Sequence, residues 1–288
     1  MHSRRLLRHP LAALGLAAGS IGLWAAGGSA AQAAALPTPD HVVVVVMENH
    51  ADNQIVGSPD APYLNTLMAG GAHLTESHGI THPSQPNYYA LFSGSTQGVT
   101  DDNCVTPGFS SATNLGSELM AAGKTWGSYN ESLPEQGSSV CKSGDYAQKH
   151  APWFGFSNVP LGTAHTLAQF PTDYTTLPEV SFVIPNLCDD MHNCPVTTGD
   201  SWVKNNLGAY AAWARTHNSL LVVTFDEDDL KAANHIPTIL YGQHVAPGSS
   251  TATRCTHYNV LRTLEDLTGL STHAANAATA SDITGIWN

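Results

Sequence analysis

Two short polar steps stand where a chain can do chemistry. Glu48 and Asn49 follow a run of five valines, Val42 to Val46. Asp226 and Glu227 follow a second apolar, β-branched run, Ser219 to Phe225. In open α/β sheets, side chains just past the carboxyl ends of central strands line the ligand crevice. Hard oxygen ligands converging there suit a divalent cation. Carboxylates gathered without a cation would repel one another. Each step alone has a plainer reading. Asn49 can simply open a turn, and Asp226 to Asp229 can be a solvated acidic loop.

A third feature is Thr81-His82-Pro83-Ser84-Gln85-Pro86-Asn87. Pro86 to Ser93 reads as a helix, with Ser84 at the N-cap position and Pro86 in the first turn. A serine there meets unpaired backbone N–H groups and the positive end of the helix dipole, a good seat for phosphate. A metal alongside would stabilise the Ser84 alkoxide and make it a nucleophile at neutral pH. The alternative is that Ser84 only caps the helix.

These groups need a scaffold that brings strand ends together. The valine run is too short to span a membrane and reads as a strand buried on both faces. Helices are predicted over 61–68, 86–93, 112–122, 201–216 and 257–267. Further strands are predicted over 125–129, 180–184, 219–225 and 236–241. Residues 130–178, rich in Ser, Gly, Pro and aromatics, read as an irregular insertion over the crevice. No internal repeat is visible. The alternation predicts an α/β fold, a mainly parallel sheet sandwiched by helices, as a single domain over 36–288.

The chain has 288 residues, 42% hydrophobic and 12% charged, enough for one large core. Arg4, Arg5 and Arg8 precede an apolar run from Leu11 to Ala26, and Ala31-Gln32-Ala33 fits a cleavage site. Residues 1–35 therefore read as a secretory signal peptide. Ser3-Arg4-Arg5 with Leu6-Leu7 fits a twin-arginine signal as well as an ordinary basic start. Elsewhere no stretch approaches the ~18 apolar residues of a membrane helix, so a secreted protein without stable membrane insertion is expected. Removing the leader's arginines takes the formal charge from −12 to about −15. Such an acidic protein has no electrostatic footprint for nucleic acid. Export also suits disulfides among the five cysteines. Cys188 and Cys194 can close a small loop, Cys104 with Cys141 is the second expected pair, and Cys255 is left over. A zinc site is the weaker reading, because no Cys-x-x-Cys spacing appears.

Taken together, Val-Val-Val-Val-Met-Glu-Asn, Thr-His-Pro-Ser-Gln-Pro-Asn-Tyr with Ser-Gly-Ser-Thr downstream, Val-Thr-Phe-Asp-Glu-Asp-Asp and Asn-His-Ile-Pro-Thr-Ile resemble the bacterial phosphoesterase family. That group includes secreted acid phosphatases, phosphatidylinositol-phosphate phosphatases and phospholipases C. Its fold belongs to the alkaline phosphatase superfamily. The resemblance covers roughly residues 40–270. It implies Ser84 as the transiently phosphorylated nucleophile and Glu48, Asn49, Asp226 and Glu227 as ligands of a divalent metal ion. Tyr146, Lys149 and His150 resemble a Tyr-x-x-Lys-His element that binds phosphate oxygens. Asp189-Asp190-Met191-His192 resembles an acidic-His segment, in which His192 would protonate the leaving alcohol. His192 can equally be a surface histidine in a Cys-closed loop. His82, Asn87 and His257 are further substrate-binding candidates, and His257 has the plainer reading of a helix-start residue.

Other hydrolases fit less well. No Gly-x-Ser-x-Gly elbow is present. Sulfatases of the superfamily carry Cys or Ser followed by x-Pro-x-Arg, and here Tyr88 stands in place of that arginine. The resemblance implies a phosphomonoesterase for a small phosphorylated substrate or a phosphoinositide headgroup. A phospholipase C-type phosphodiesterase and a non-catalytic binding protein of the same fold are the alternatives.

Overall fold

Val42 to Val46 and Met47 are all buried, and they form the spine of the sheet as β1 (His41–Met47). The computed structural model describes residues 1–2 and 36–288. Residues 3–35, which hold most of the expected leader and its arginines, fall outside the described residues. Neighbouring side chains of a strand point to opposite faces. Val42, Val44 and Val46 accordingly join one apolar cluster with Phe92, Trp153 and Leu264. Val43, Val45 and Met47 join a second, with Leu67, Trp202 and Tyr210. Burying each such valine contributes about 1.5–3 kcal/mol over leaving it in water. β-branching also suits the extended backbone.

The other strands are β2 (Ala72–Leu74), β3 (Ser77–His78), β4 (Trp126–Asn130), β5 (Lys142–Ser143), β6 (Tyr146–Ala147), β7 (Ala164–Thr166), β8 (Val180–Ile184), β9 (Ser219–Phe225), β10 (Thr238–Gly242), β11 (Ser249–Thr251) and β12 (Cys255–Thr256). Eight of them form one sheet in the order β11-β2-β10-β9-β1-β8-β4-β7. The helices are α1 (Asp52–Ile55), α2 (Pro62–Gly70), α3 (Ser84–Ser93), α4 (Leu115–Ala121), α5 (Val196–Ala214) and α6 (His257–Leu267). α3, α4 and α6 cover one face and α2 and α5 the other. This is the expected sandwich.

The sheet is mixed, mainly parallel. β1 runs parallel to β8 and β9, and β4 runs parallel to β8 and β7. β10 is antiparallel to β9 and β2. The reason is local. A parallel partner needs a crossover, usually helical, and the acidic loop after β9 supplies none. The strand read over 236–241 accordingly returns as β10. The region 130–178 is irregular as expected, but Ala164–Thr166 within it adds the edge strand β7. α5 starts at Val196, five residues before its predicted start. Its early Gly199 packs so tightly on the preceding turn that a Cβ would lie 2.9 Å from the Asp189 carbonyl oxygen. Its Asp200 carboxylate accepts the Tyr63 and Leu64 N–H groups at the start of α2. Cys104–Cys141 and Cys188–Cys194 are the two disulfides, and Cys255 is free and buried.

Away from the sheet's crevice, α4 and α6 bury Glu118 and Glu265 against each other. Both Glu118 oxygens and Glu265 Oε2 lack a hydrogen-bond donor. Burial, then the neighbouring Glu118 charge, pushes Glu265 up to about 9 against the Ala274 N–H that favours its ionised form. The folded state therefore keeps a proton that the unfolded chain releases near 4.5. The stability tied to that proton is complete at pH below about 4.5 and is lost as pH rises towards about 9. Glu265→Gln should flatten the fall in unfolding temperature across this window. Thermal unfolding of both proteins at a series of pH values tests it, and equally steep falls would place the loss elsewhere.

Candidate active site

Three strand ends are laced together at the crevice. Glu48 N–H donates to the Asp190 carbonyl beyond β8 (2.8 Å), and Asp226 N–H donates to the Met47 carbonyl of β1 (3.0 Å). Immediately after Glu48, Asn49 takes a left-handed backbone with φ 47°. Asparagine tolerates that region better than most residues. The turn ends β1 abruptly and brings the Asn49 amide towards the helix opposite. Asn49 N–H also donates to Asp226 Oδ1 at 3.1 Å.

That helix is α3, and its start differs from the expectation. Pro83 holds the N-cap position and Ser84 is the first helical residue. The cap is supplied from a distance: Asp102 Oδ1 accepts Gln85 N–H at 2.9 Å. The Ser84 hydroxyl is thereby released into the crevice. Its Oγ lies 2.9 Å from Glu48 Oε2, 3.2 Å from Glu227 Oε1 and 3.4 Å from Asn49 Oδ1. Lys149 Nζ stands 3.5 Å away. A hydroxyl has one proton to donate, so this is more acceptor oxygen than Ser84 can satisfy.

The electrostatics show the same surplus. Burial raises Asp226 well above the carboxylate range, and the charges of Glu48 and Glu227 add to it. Burial and then the Glu48 charge push Glu227 up to about 8. Asp226 Oδ2 is buried without a donor. Glu48 keeps its charge. Burial opposes it, but His150, Lys149 and the Tyr88 hydroxyl hold it down to about 2. Burial likewise opposes the Lys149 charge, and Glu48 and Asp102 more than offset this. Hard oxygens, an orphaned carboxylate oxygen and mutual repulsion fit a divalent cation held by Glu48, Asn49, Asp226 and Glu227.

A second donor group overlaps this one at Glu48. Atoms of Glu48, His150 and Asp190 lie within 4.8 Å of one another, all buried. His150 Nε2 is 3.1 Å from Glu48 Oε1, and Nδ1 is 3.3 Å from Asp190 Oδ2. Burial opposes a charge on His150, but the two carboxylates raise it to about 9. A metal taken up by this group would have to displace the proton that His150 then carries. His150 is better placed to steady Glu48 from behind than to touch substrate.

The remaining candidates separate by position. His82 joins the cluster, with Nδ1 2.8 Å from Glu227 Oε2 and Nε2 3.3 Å from Asp228 Oδ1. His192 is exposed at the mouth, its Nε2 3.4 Å from Lys149 Nζ. His257 is buried behind the carboxylates, Nε2 on the Asp226 carbonyl at 2.6 Å, and burial lowers it to about 4. Asn87 lies below Ser84. Its Oδ1 accepts the Ile80 and Thr81 N–H groups, and its Nδ2 donates to the Thr81 carbonyl and approaches Glu227 Oε2. Asn87 thus fixes the loop that carries Ser84. Asp228 is no solvated acid: it is buried and accepts the Leu230, Ala232 and Asn234 N–H groups.

Sequence reasoning left Asp190, Tyr88 and Asp102 without roles. Asp190 stands in the Asp189–His192 segment after the third apolar strand, beyond Pro185 and a turn, and that segment was the available signal. Tyr88 donates to Glu48 Oε1 and stacks on His150 at 4.9 Å. Asp102, 3.0 Å from Lys149 Nζ, lies in a Gly-, Asp- and Asn-rich loop with no local mark.

The chain belongs to the Phosphoesterase family, whose model matches residues 57–271. A phosphatidylinositol-3-phosphatase from Mycobacterium tuberculosis is 50% identical over 257 residues, 88% of this chain and 85% of that protein. A phosphate-repressible acid phosphatase from Penicillium chrysogenum is 30% identical over 72% of this chain, which spans about half (54%) of that protein. A crystal structure of an alkaline phosphatase superfamily protein from Vibrio parahaemolyticus superposes with a TM-score of 0.62 at 14% identity, covering 87% of this chain and 71% of that one. The fold is that of the superfamily, and the chain is a phosphoric ester hydrolase.

If one cation draws on both strand ends, Glu48→Ala and Asp226→Ala should each lose bound metal and nearly all activity. The double variant should be little worse than either single one, because each change already dismantles the site. Metal analysis of the purified variants decides, and retained metal in both single variants would contradict the shared site.

Proposed function

We propose that this chain is an exported, metal-dependent phosphomonoesterase that works through a phosphoserine at Ser84. The observation that carries the reading is the Ser84 hydroxyl itself. It is buried at a helix amino terminus, with two carboxylates within 3.2 Å and Lys149 at 3.5 Å. A bound divalent cation would supply Lewis-acid polarisation of the phosphoryl group and stabilise the serine alkoxide.

The chain's own groups do the rest. Ser84 Oγ attacks phosphorus, and its proton has carboxylate acceptors at hand in Glu48 and Glu227. As the Oγ–P bond forms, the bond from phosphorus to the leaving oxygen breaks. His192 at the mouth donates a proton to that oxygen. Lys149 and the positive end of the α3 dipole offset charge on the equatorial oxygens. Water then attacks the phosphoserine, with His192 taking its proton; the P–Oγ bond breaks, the carboxylate returns the proton to Ser84 Oγ, and phosphate leaves. Two disulfides and the predicted leader support export. The M. tuberculosis relative's name supports a phosphoinositide headgroup among the substrates, with soluble phosphate monoesters beside it.

Concentrated positive charge helps a dianionic monoester more than a monoanionic diester. p-Nitrophenyl phosphate should therefore turn over faster than bis(p-nitrophenyl) phosphate. Faster turnover of the bis-ester would favour a phospholipase C-type phosphodiesterase, and no turnover of either would favour a binding protein.

Ser84 is not the helix cap, so Ser84→Ala should leave the unfolding temperature nearly unchanged, whereas loss of a capping serine costs about 1 kcal/mol. Turnover should drop by several orders of magnitude because the covalent route closes. Wild type quenched in acid during turnover should carry phosphate on the peptide containing Ser84. Near-normal turnover in Ser84→Ala, or phosphate trapped on a histidine, would overturn the mechanism.

A further inference from the structure

A cleft of about 340 Å³ opens beside the nucleophile. Lys149 and His192, the two groups at the mouth of the crevice, line this cleft together with Asp102. The Cys104–Cys141 disulfide and Leu187 form apolar walls, and Lys142 stands at the rim. The size is within the range of small-molecule sites, which run about 300–1,000 Å³.

The cleft is a built feature. The β5–β6 hairpin pairs Lys142 with Ala147, two residues before Lys149. The disulfide ties this hairpin to the loop carrying Asp102, which caps α3 and holds Lys149. The buried Gln148 locks both segments. Its N–H donates to the Cys141 carbonyl (2.9 Å), its Oε1 accepts Val105 N–H (3.2 Å), and its Nε2 donates to the Ser139 carbonyl (3.1 Å).

Charge identifies the occupant. The chain has only five lysines, and two of them line this cleft. Lys149 is paired with Asp102 at 3.0 Å. Among the described residues Lys142 and Lys204 have no ion-pair partner, whereas Lys124 and Lys231 do, and of the two only Lys142 lines this cleft. An unpaired cation on the surface of a strongly acidic protein, one slot away from the nucleophile, marks a place for a second anionic group. The apolar walls suit the ring that carries it.

We propose that this cleft receives the leaving alcohol, and that Lys142 selects phosphorylated polyols bearing a second phosphate on the same ring. The inference rests on Ser84 as the nucleophile. It adds a specificity determinant outside the catalytic machinery, on an exposed residue whose replacement leaves the core intact.

The test compares an inositol bisphosphate, the matching inositol monophosphate and p-nitrophenyl phosphate. Lys142→Ala should raise KM for the bisphosphate about tenfold, the worth of one hydrogen bond to a charged group. The kcat for the bisphosphate, and both constants for the other two substrates, should stay as in wild type. Lys142→Arg should restore the bisphosphate KM. Repeating the assay with the same headgroup in phosphatidylcholine vesicles separates a lipid from a soluble source, according to which form shows the rise. Equilibrium binding of the bisphosphate to Ser84→Ala, with and without Lys142→Ala, reads the cleft without turnover. Equal binding by these two, or equal KM changes for all three substrates, would overturn the role of Lys142. Absent turnover of p-nitrophenyl phosphate by wild type would instead strike the Ser84 reading.

Discussion

Repulsion among Glu48, Asp226 and Glu227 is the constraint the rest of the site answers. Buried carboxylates so close cannot all keep their charges without cationic or donor support. Each local feature supplies part of that support. His150 and Tyr88 hold Glu48 ionised, Asn49 gives its N–H to Asp226, and His82 meets Glu227. What they leave unmet is the orphaned Asp226 oxygen and the raised Asp226 and Glu227 carboxyls. That deficit has the sign and place of a divalent cation. Ser84 sits against it, so the charge that makes the cluster costly is the charge that would draw in a metal beside the Ser84 hydroxyl.

Holding such a cluster requires a rigid floor. β1 provides it, buried on both faces and flanked by parallel β8 and β9. Parallel neighbours bring their carboxyl ends to one edge, so Glu48, Asp190 and Asp226 converge without long loops. The backbone bonds from Glu48 to Asp190 and from Asp226 to Met47 set their mutual heights. Asp102 extends the frame outward. One oxygen caps α3 and the other pairs with Lys149, which ties the seat of Ser84 to the cation facing it.

What was legible in the sequence follows from the range of each interaction. The valine spine, the polar steps after it and the Ser84 segment are encoded locally, by burial pattern and by residue type. The Cys188–Cys194 disulfide was legible from its spacing and the expected leader, and Cys104–Cys141 was the second expected pair. The start of α3 was not, because its cap comes from Asp102, eighteen residues on from Ser84. The reversal of β10 depends on a connection that lacks a crossover helix, a weak negative signal. β7 is three residues long and exists only because β4 offers it an edge. The early start of α5 depends on Asp200 finding the α2 amides across the fold. Local pattern finds the strands and their polar ends, and tertiary contacts decide which side chain is released into the site.

The superfamily fold supports several ester chemistries, so the fold alone does not choose among them. The residues around Ser84 bear on that choice, and Tyr88 is one of them. It stands where sulfatases of the superfamily carry an arginine that follows the Pro-x step. An arginine there would place a permanent charge close to Glu48 and His150, which already form an ion pair. The tyrosine instead donates one hydrogen bond to Glu48 and lays its ring flat on His150. Burial and the Glu48 charge raise the Tyr88 hydroxyl well above its usual range, so it stays a neutral donor. Lys149 Nζ stands 3.5 Å from the Ser84 hydroxyl, and in the proposed mechanism it is the charge that an incoming phosphate meets.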